Sequence, residues 1–252
     1  MLLSKPAYKG RVLHMRFLID IALLLIISIC TWGGYKKGLI GGVAGILAIV
    51  VALLGGSLLS SAYAHELTPA LEPFVNGYVD SQSNREKALE KMGYGDSDLS
   101  LDDILAQDPS LRYDYAYESI RSMGFYRDRA EELSVKAVAY AQQNQVDMTK
   151  AVVSVLCETI TYVAGLALAF LMILILITAI ANMGNLSFRL PNMENLDEIG
   201  GTALGFLKGF ILCVLLCWLL SYFGILIGRD TLAQTTLARF FLAFKFITGV
   251  LM

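Results

Sequence analysis

Residues 39–64 read LIGGVAGILAIVVALLGGSLLSSAYA, and no charge follows until Glu66. Hydrocarbon about 30 Å thick is crossed by about 20 helical residues rising 1.5 Å each. This stretch meets that requirement on its own, so it predicts a membrane-crossing helix and decides the class of the fold. Downstream, residues 151–183 form a second long apolar run, and its core at 163–181 holds only apolar residues, Gly and Thr. A third run covers 199–227, with Lys208 as its only charge. Both are long enough to tilt or to project beyond the bilayer. Upstream lies FLIDIALLLIISICTW at 17–32, which reaches spanning length when extended to Tyr35. Lys5, Lys9, Arg11 and Arg16 before it make it resemble a signal peptide. However, Gly33-Gly34-Tyr35-Lys36-Lys37 follows in place of a small-residue cleavage site, and a further apolar run comes at once. We read it as a retained helix.

Composition agrees with a bilayer as part of the solvent. Of 252 residues, 56% are hydrophobic and 17% charged, with mean hydropathy +0.60. A soluble domain would carry about a quarter charged residues. The net charge of -2 gives no basic face to displace counterions, which argues against nucleic-acid binding. Cys30, Cys157, Cys213 and Cys217 all sit in apolar runs, where helix packing is the expected role.

Between residues 64 and 151 the character changes. The segment is rich in Asp and Glu and carries helix signals in place of apolar spans. Ser100 with Asp103 resembles a capping box, and Asp108-Pro109 places a cap residue before a first-turn proline. Leu111, Tyr115, Ile120 and Met123 fall near one helical face, and Leu133, Val135, Ala137, Val138 and Tyr140 form a second pattern. Gly93, Gly95 and Gly124 punctuate. After the fourth run, TLAQTTLARFFLAFKFITGVLM fits an interfacial amphipathic helix, with Phe240, Phe241, Phe244 and Ile247 toward acyl chains. The fold expected is therefore an all-α membrane protein with about four transmembrane helices. Its parts are a basic tail at 1–16, helices one and two at 17–64, an acidic helical insert at 65–150, helices three and four at 151–227, and an amphipathic segment at 228–252.

Glycine spacing is the strongest local signal. Gly201, Gly205 and Gly209 recur every four residues, as do Gly34, Gly38 and Gly42. Such stripes let another helix backbone approach closely, which matters in lipid because little hydrophobic drive acts between helices. The same stripes serve packing between chains, so oligomerisation is open. Ionisable groups in or near the runs are Asp20, Glu158, Asp197 and Lys208, and an Asp20–Lys208 pair across the bundle would test the helix arrangement. Catalytic signatures fail. His65-Glu66 opens like a zinc-protease motif, but Pro69 stands where the second His is needed. No nucleophile elbow, phosphate loop or dinucleotide fingerprint is present. We expect no enzyme, no catalytic residue, no metal site and no cofactor.

Two stretches together resemble the colicin V production protein family. FLIDIALLLIISICTWGGYKKGLIGG has a helix opening with Ile-Asp at Asp20, then the basic-glycine turn Lys37-Gly38 and, one turn on, Gly42. LPNMENLDEIGGTALGFLKGFILCVLLCWLL carries Asp197, Gly201, Gly205, Lys208 and Gly209. The resemblance implies a bacterial cytoplasmic-membrane protein with a role in producing or exporting a peptide toxin, or in envelope upkeep, through an envelope partner. Alternatives are a small transporter or channel subunit, and a scaffold that docks a partner through the acidic insert. The positive-inside count is divided. Starting at Met1, the N-terminal charges make the termini cytoplasmic. Starting at Met15, which opens MRFLIDIALLL, the Lys36-Lys37 turn becomes the cytoplasmic one and the insert lies outside; we take this second reading.

Overall fold

A computed structural model describes residues 5–95, 100–183, 194–222 and 235–243, with side chains given for all but 5–16, 82–84 and 182–183. No strand occurs among these residues. The helices are α1 (Lys5–Val79), α2 (Gln82–Lys91), α3 (Leu101–Gln107), α4 (Leu111–Ser122), α5 (Arg127–Asn144), α6 (Met148–Met183), α7 (Glu194–Tyr222) and α8 (Thr236–Leu242). Among the described residues, three stretches of helix are long and apolar enough to cross a membrane: Phe17–Val79, Met148–Ala181 and Glu194–Tyr222. The first of these runs holds both helices expected over 17–64, which is why the count is three and not four. That run is interrupted at a single residue, Gly38, with φ 70° and ψ -173°. The expected fourth span to Ile227 is described as far as Tyr222, and its last residues lie outside the described part.

The chain divides into two compact units. The first comprises Met1–Leu59, Leu166–Leu220 and Asp230–Met252. Its helices turn large apolar side chains outward, among them Leu24, Leu25, Ile29, Leu47, Leu54, Leu168, Ile175 and Ile180. Apolar surface of that extent is untenable in water and natural against acyl chains. The core of this unit is narrower, built around Leu23, Ile49, Ala52, Cys213, Val214 and Cys217.

The second unit comprises Ser60–Gly165 and Ser221–Arg229. It is larger than the insert expected at 65–150, since the end of α1 and the start of α6 pack within it. Ser60 and Gly165 bring α1 and α6 together: Ser60 Oγ donates to the Tyr162 carbonyl at 2.6 Å, and a Cβ on Gly165 would meet Ser60 Oγ at 2.8 Å. The core gathers Val75 and Val79 from α1, Ile104 from α3, Tyr115 and Ile120 from α4, Leu133 and Ala137 from α5, and Val152 and Leu156 from α6. Val135, read as part of the α5 apolar face, is exposed.

Local signals in this unit act as the residue chemistry suggests. Ser100 Oγ accepts from the Asp103 amide at 3.2 Å and donates to the Asp103 carboxylate at 2.6 Å, so aspartate serves in a capping box. Asp108-Pro109 does not open α4 as cap and first-turn residue: α4 begins at Leu111 after Ser110, and Asp108 ends α3, its Oδ1 accepting from both the hydroxyl and the amide of Ser110. Those two bonds hold the Asp108 carboxyl below the usual carboxylate range. Gly93 and Gly124 follow the last turns of α2 and α4 with φ of 85° and 94°, the left-handed cap that glycine adopts without strain. Between α5 and α6 the helix breaks at Gln145, φ 52°, so the insert does not run continuously into the third apolar helix.

Candidate functional site

Within the first unit, α7 crosses both arms of α1 at backbone contact. A Cβ on Gly201 would lie 2.5 Å from the Gly34 carbonyl oxygen and 2.8 Å from Gly38 Cα. One turn on, a Cβ on Gly205 would lie 2.5 Å from the Cys30 carbonyl oxygen and 2.9 Å from Gly34 Cα. At Gly209 the neighbours are Cys30 Cβ and Ile27 Cα, both at 3.0 Å. Further along, Cys213 Sγ donates to the Leu23 carbonyl at 3.5 Å. As α7 advances the first arm of α1 recedes, so the two run antiparallel. The second arm runs the other way: Gly42 faces Leu204, and Gly45 faces the Lys208 side chain. The chain therefore reverses at Gly38, and both arms of the hairpin lie on α7. All six glycines of the two stripes are buried.

Asp197 closes this crossing. It is 3% exposed, and its Oδ1 accepts the Leu39 N–H at 2.8 Å. Leu39 opens the second arm, where the first N–H groups have no partner within the helix. The carboxylate also lies in the first turn of α7, so one negative charge faces the positive ends of two helices. It reaches Leu39 only because residue 38 has no side chain, since a Cβ there would overlap the carboxylate. Replacing Asp197 with Ala is expected to lower unfolding free energy by about 1–3 kcal/mol, the cost of a buried donor left without its acceptor. Asn, which keeps an acceptor oxygen, should recover part of it. Denaturation in mixed micelles measures this, and an unchanged midpoint for the Ala variant would remove the capping role.

The remaining family-motif residues fall at different places. Lys37 is exposed at the hairpin turn, and its neighbour Lys36 holds Nζ 4.1 Å over the exposed Trp32 ring. Paired Lys and Trp side chains suit a headgroup boundary. Asp20 lies nearer the other end of the first arm and accepts the Leu237 N–H at 3.3 Å, tying α8 to α1. The expected Asp20–Lys208 pair is not formed. Lys208 sits at the level of Ile27 and Gly45, seven residues along the first arm from Asp20, a rise of about 10 Å. Glu158 is exposed and belongs to the second unit. α8 packs inward as well as outward: Phe241 is buried, Phe240 exposed, and both rings meet Phe210 edge-on at 5.3 and 6.3 Å. Phe244, Lys245 and Ile247 of the expected amphipathic segment lie outside the described residues.

Sequence reading missed two contributors. Gly45 makes room for Lys208, and Gly56 lets α1 approach the α6 backbone, its Cβ position 3.1 Å from the Phe170 nitrogen. Gly45 stands outside the stripe of Gly34, Gly38 and Gly42, and Gly55-Gly56 is an adjacent pair with no repeat around it, so neither drew attention.

Long apolar helices that turn aliphatic surface outward, crossing at glycines where backbones touch, define an all-α membrane protein. Residues 134–245 match the family model described as Colicin V production protein. The matched region includes Asp197, Gly201, Gly205, Lys208 and Gly209 and begins within α5, after Asp20, Lys37, Gly38 and Gly42. No curated protein and no solved structure matches the chain.

Proposed function

We propose that this protein is a multi-pass, non-enzymatic component of the bacterial cytoplasmic membrane that supports toxin production or export, or envelope upkeep, through contacts with an envelope partner. The family match over 134–245 carries this reading. The chemistry of the crossing supports it, because the Asp197 carboxylate is engaged with a backbone amide and serves helix assembly. Asp20 is likewise engaged with a backbone amide, which weakens the transporter alternative of ionisable groups along one path. In a bacterium deleted for the protein, the wild-type chain should restore toxin export or resistance to envelope stress. If both phenotypes stay as in the deletion strain while the chain accumulates in the membrane, the reading fails. Labelling of a cysteine at position 98 by an impermeant reagent on intact cells, in a background lacking the native cysteines, supports an external insert.

A scaffold role for the second unit is favoured by a stripe on α1. Leu67, Phe74 and Tyr78 are exposed along one helical face, Phe74 at 77%. Isolated apolar side chains on a surface are ordinary, but a continuous stripe marks a contact surface. Phe74→Glu should lower recovery of a membrane partner in mild-detergent pulldowns at least tenfold with unchanged protein level. Partners that survive both this change and deletion of about Asp80–Gln145 would sink the scaffold reading.

A further inference from the structure

The first unit holds a cleft of about 340 Å³ among its helices, and every residue lining it is apolar. Ile26 and Leu53 come from the two arms of α1, Phe170 and Leu171 from α6, and Leu216 and Trp218 from α7. We propose that this cleft is a binding site for one acyl chain of a bilayer lipid.

The lining excludes the other occupants. Water needs two to four polar partners, and walls of aliphatic and aromatic side chains supply almost none. A polar ligand would lose its hydrogen bonds on entry. The volume corresponds to about eleven water-sized groups at about 30 Å³ each, a size close to that of a methylene, so a stretch of hydrocarbon chain fits. Left empty, the cleft would strip its walls of van der Waals partners on one side. The cleft also continues into the lipid-facing surface. Leu171 lines it and is itself 52% exposed, and Leu168, Met172 and Ile175 beside it on α6 face outward. A chain enters laterally from the acyl layer without passing a polar group. The site differs from annular contact in drawing walls from four helical segments, so the chain is held on several sides.

The test uses the full chain in vesicles of phosphatidylethanolamine and phosphatidylglycerol carrying a phospholipid with a photoreactive diazirine on one acyl chain. After irradiation, adducts on Phe170 and Leu216 should exceed those on the lipid-facing Leu168 and Ile175 several-fold. Ala167 also lines the cleft, and Ala167→Trp should fill it and bring adducts at Phe170 and Leu216 down to the Leu168 level. If that variant does not accumulate in the membrane, Leu219→Phe, on another wall, provides the same comparison. Cleft adducts no higher than those at Leu168, or unchanged in the filled variant, overturn the proposal.

Discussion

Gly38→Ala is expected to abolish most of the folded protein in the membrane. Two separate costs act at this residue. Its backbone, φ 70° and ψ -173°, lies in a region that residues with a Cβ essentially do not occupy, and forcing one there costs about 1–3 kcal/mol. The new methyl would also overlap the Asp197 carboxylate and push it from the Leu39 amide. Losing a charge-assisted bond in a buried site costs about a further 1.5–3 kcal/mol. Together these amount to a large part of the 5–15 kcal/mol by which proteins are ordinarily stable. The expected readout is a steady-state level several-fold below wild type, with a denaturation midpoint shifted sharply down in mixed micelles. Because both residues share one contact, Gly38→Ala with Asp197→Ala should cost less than the two added together. Additive losses would separate the turn from its carboxylate and disprove the coupling.

Gly205→Leu should break the crossing from the opposite side. Here the obstacles are backbone atoms, the Cys30 carbonyl oxygen and Gly34 Cα, which have no rotamer to retreat into. Overpacking costs about 1–3 kcal/mol where side chains can shift, and a collision with backbone belongs at or above the top of that range. The helices can relieve it only by moving apart. A gap of about 0.5–1 Å forfeits a quarter to a half of the dispersion attraction along the contact, and lipid supplies no hydrophobic drive to restore it. Phe206, one residue on and exposed, provides the control: Phe206→Leu should leave the midpoint near wild type. A Gly205→Leu protein as resistant to denaturation and proteolysis as the Phe206→Leu control would show that α7 does not pack where described.

Much of this crossing was written locally. A four-residue glycine period needs only the helical repeat to place Gly201, Gly205 and Gly209 on one stripe, and that stripe is buried against another backbone. The insert was legible for the same reason, since Ser100 with Asp103 and the glycines after α2 and α4 act within a few residues of themselves. The Asp20–Lys208 pair failed because apolar runs leave register open, and two ionisable groups in different helices carry no record of their depths. The end of α1 and the start of α6 joined the insert unit because their buried faces, through Val75 and Val152, pack with its core residues.

What the sequence determined by itself was therefore the solvent and the faces. Apolar length selected the membrane, and periodicity selected the stripes that could pack. Tertiary structure decided which stripes meet and what Gly38 does. The turn at Lys37-Gly38 was read between two helices, but that Gly34, Gly38 and Gly42 on either side of it all lie against α7 follows only from the packed arms. The partner that fixes this reversal, Asp197, stands 158 residues from Leu39 along the chain. A hydrogen bond between groups that far apart has no local spacing to betray it, and only the packed helices bring donor and acceptor within 2.8 Å.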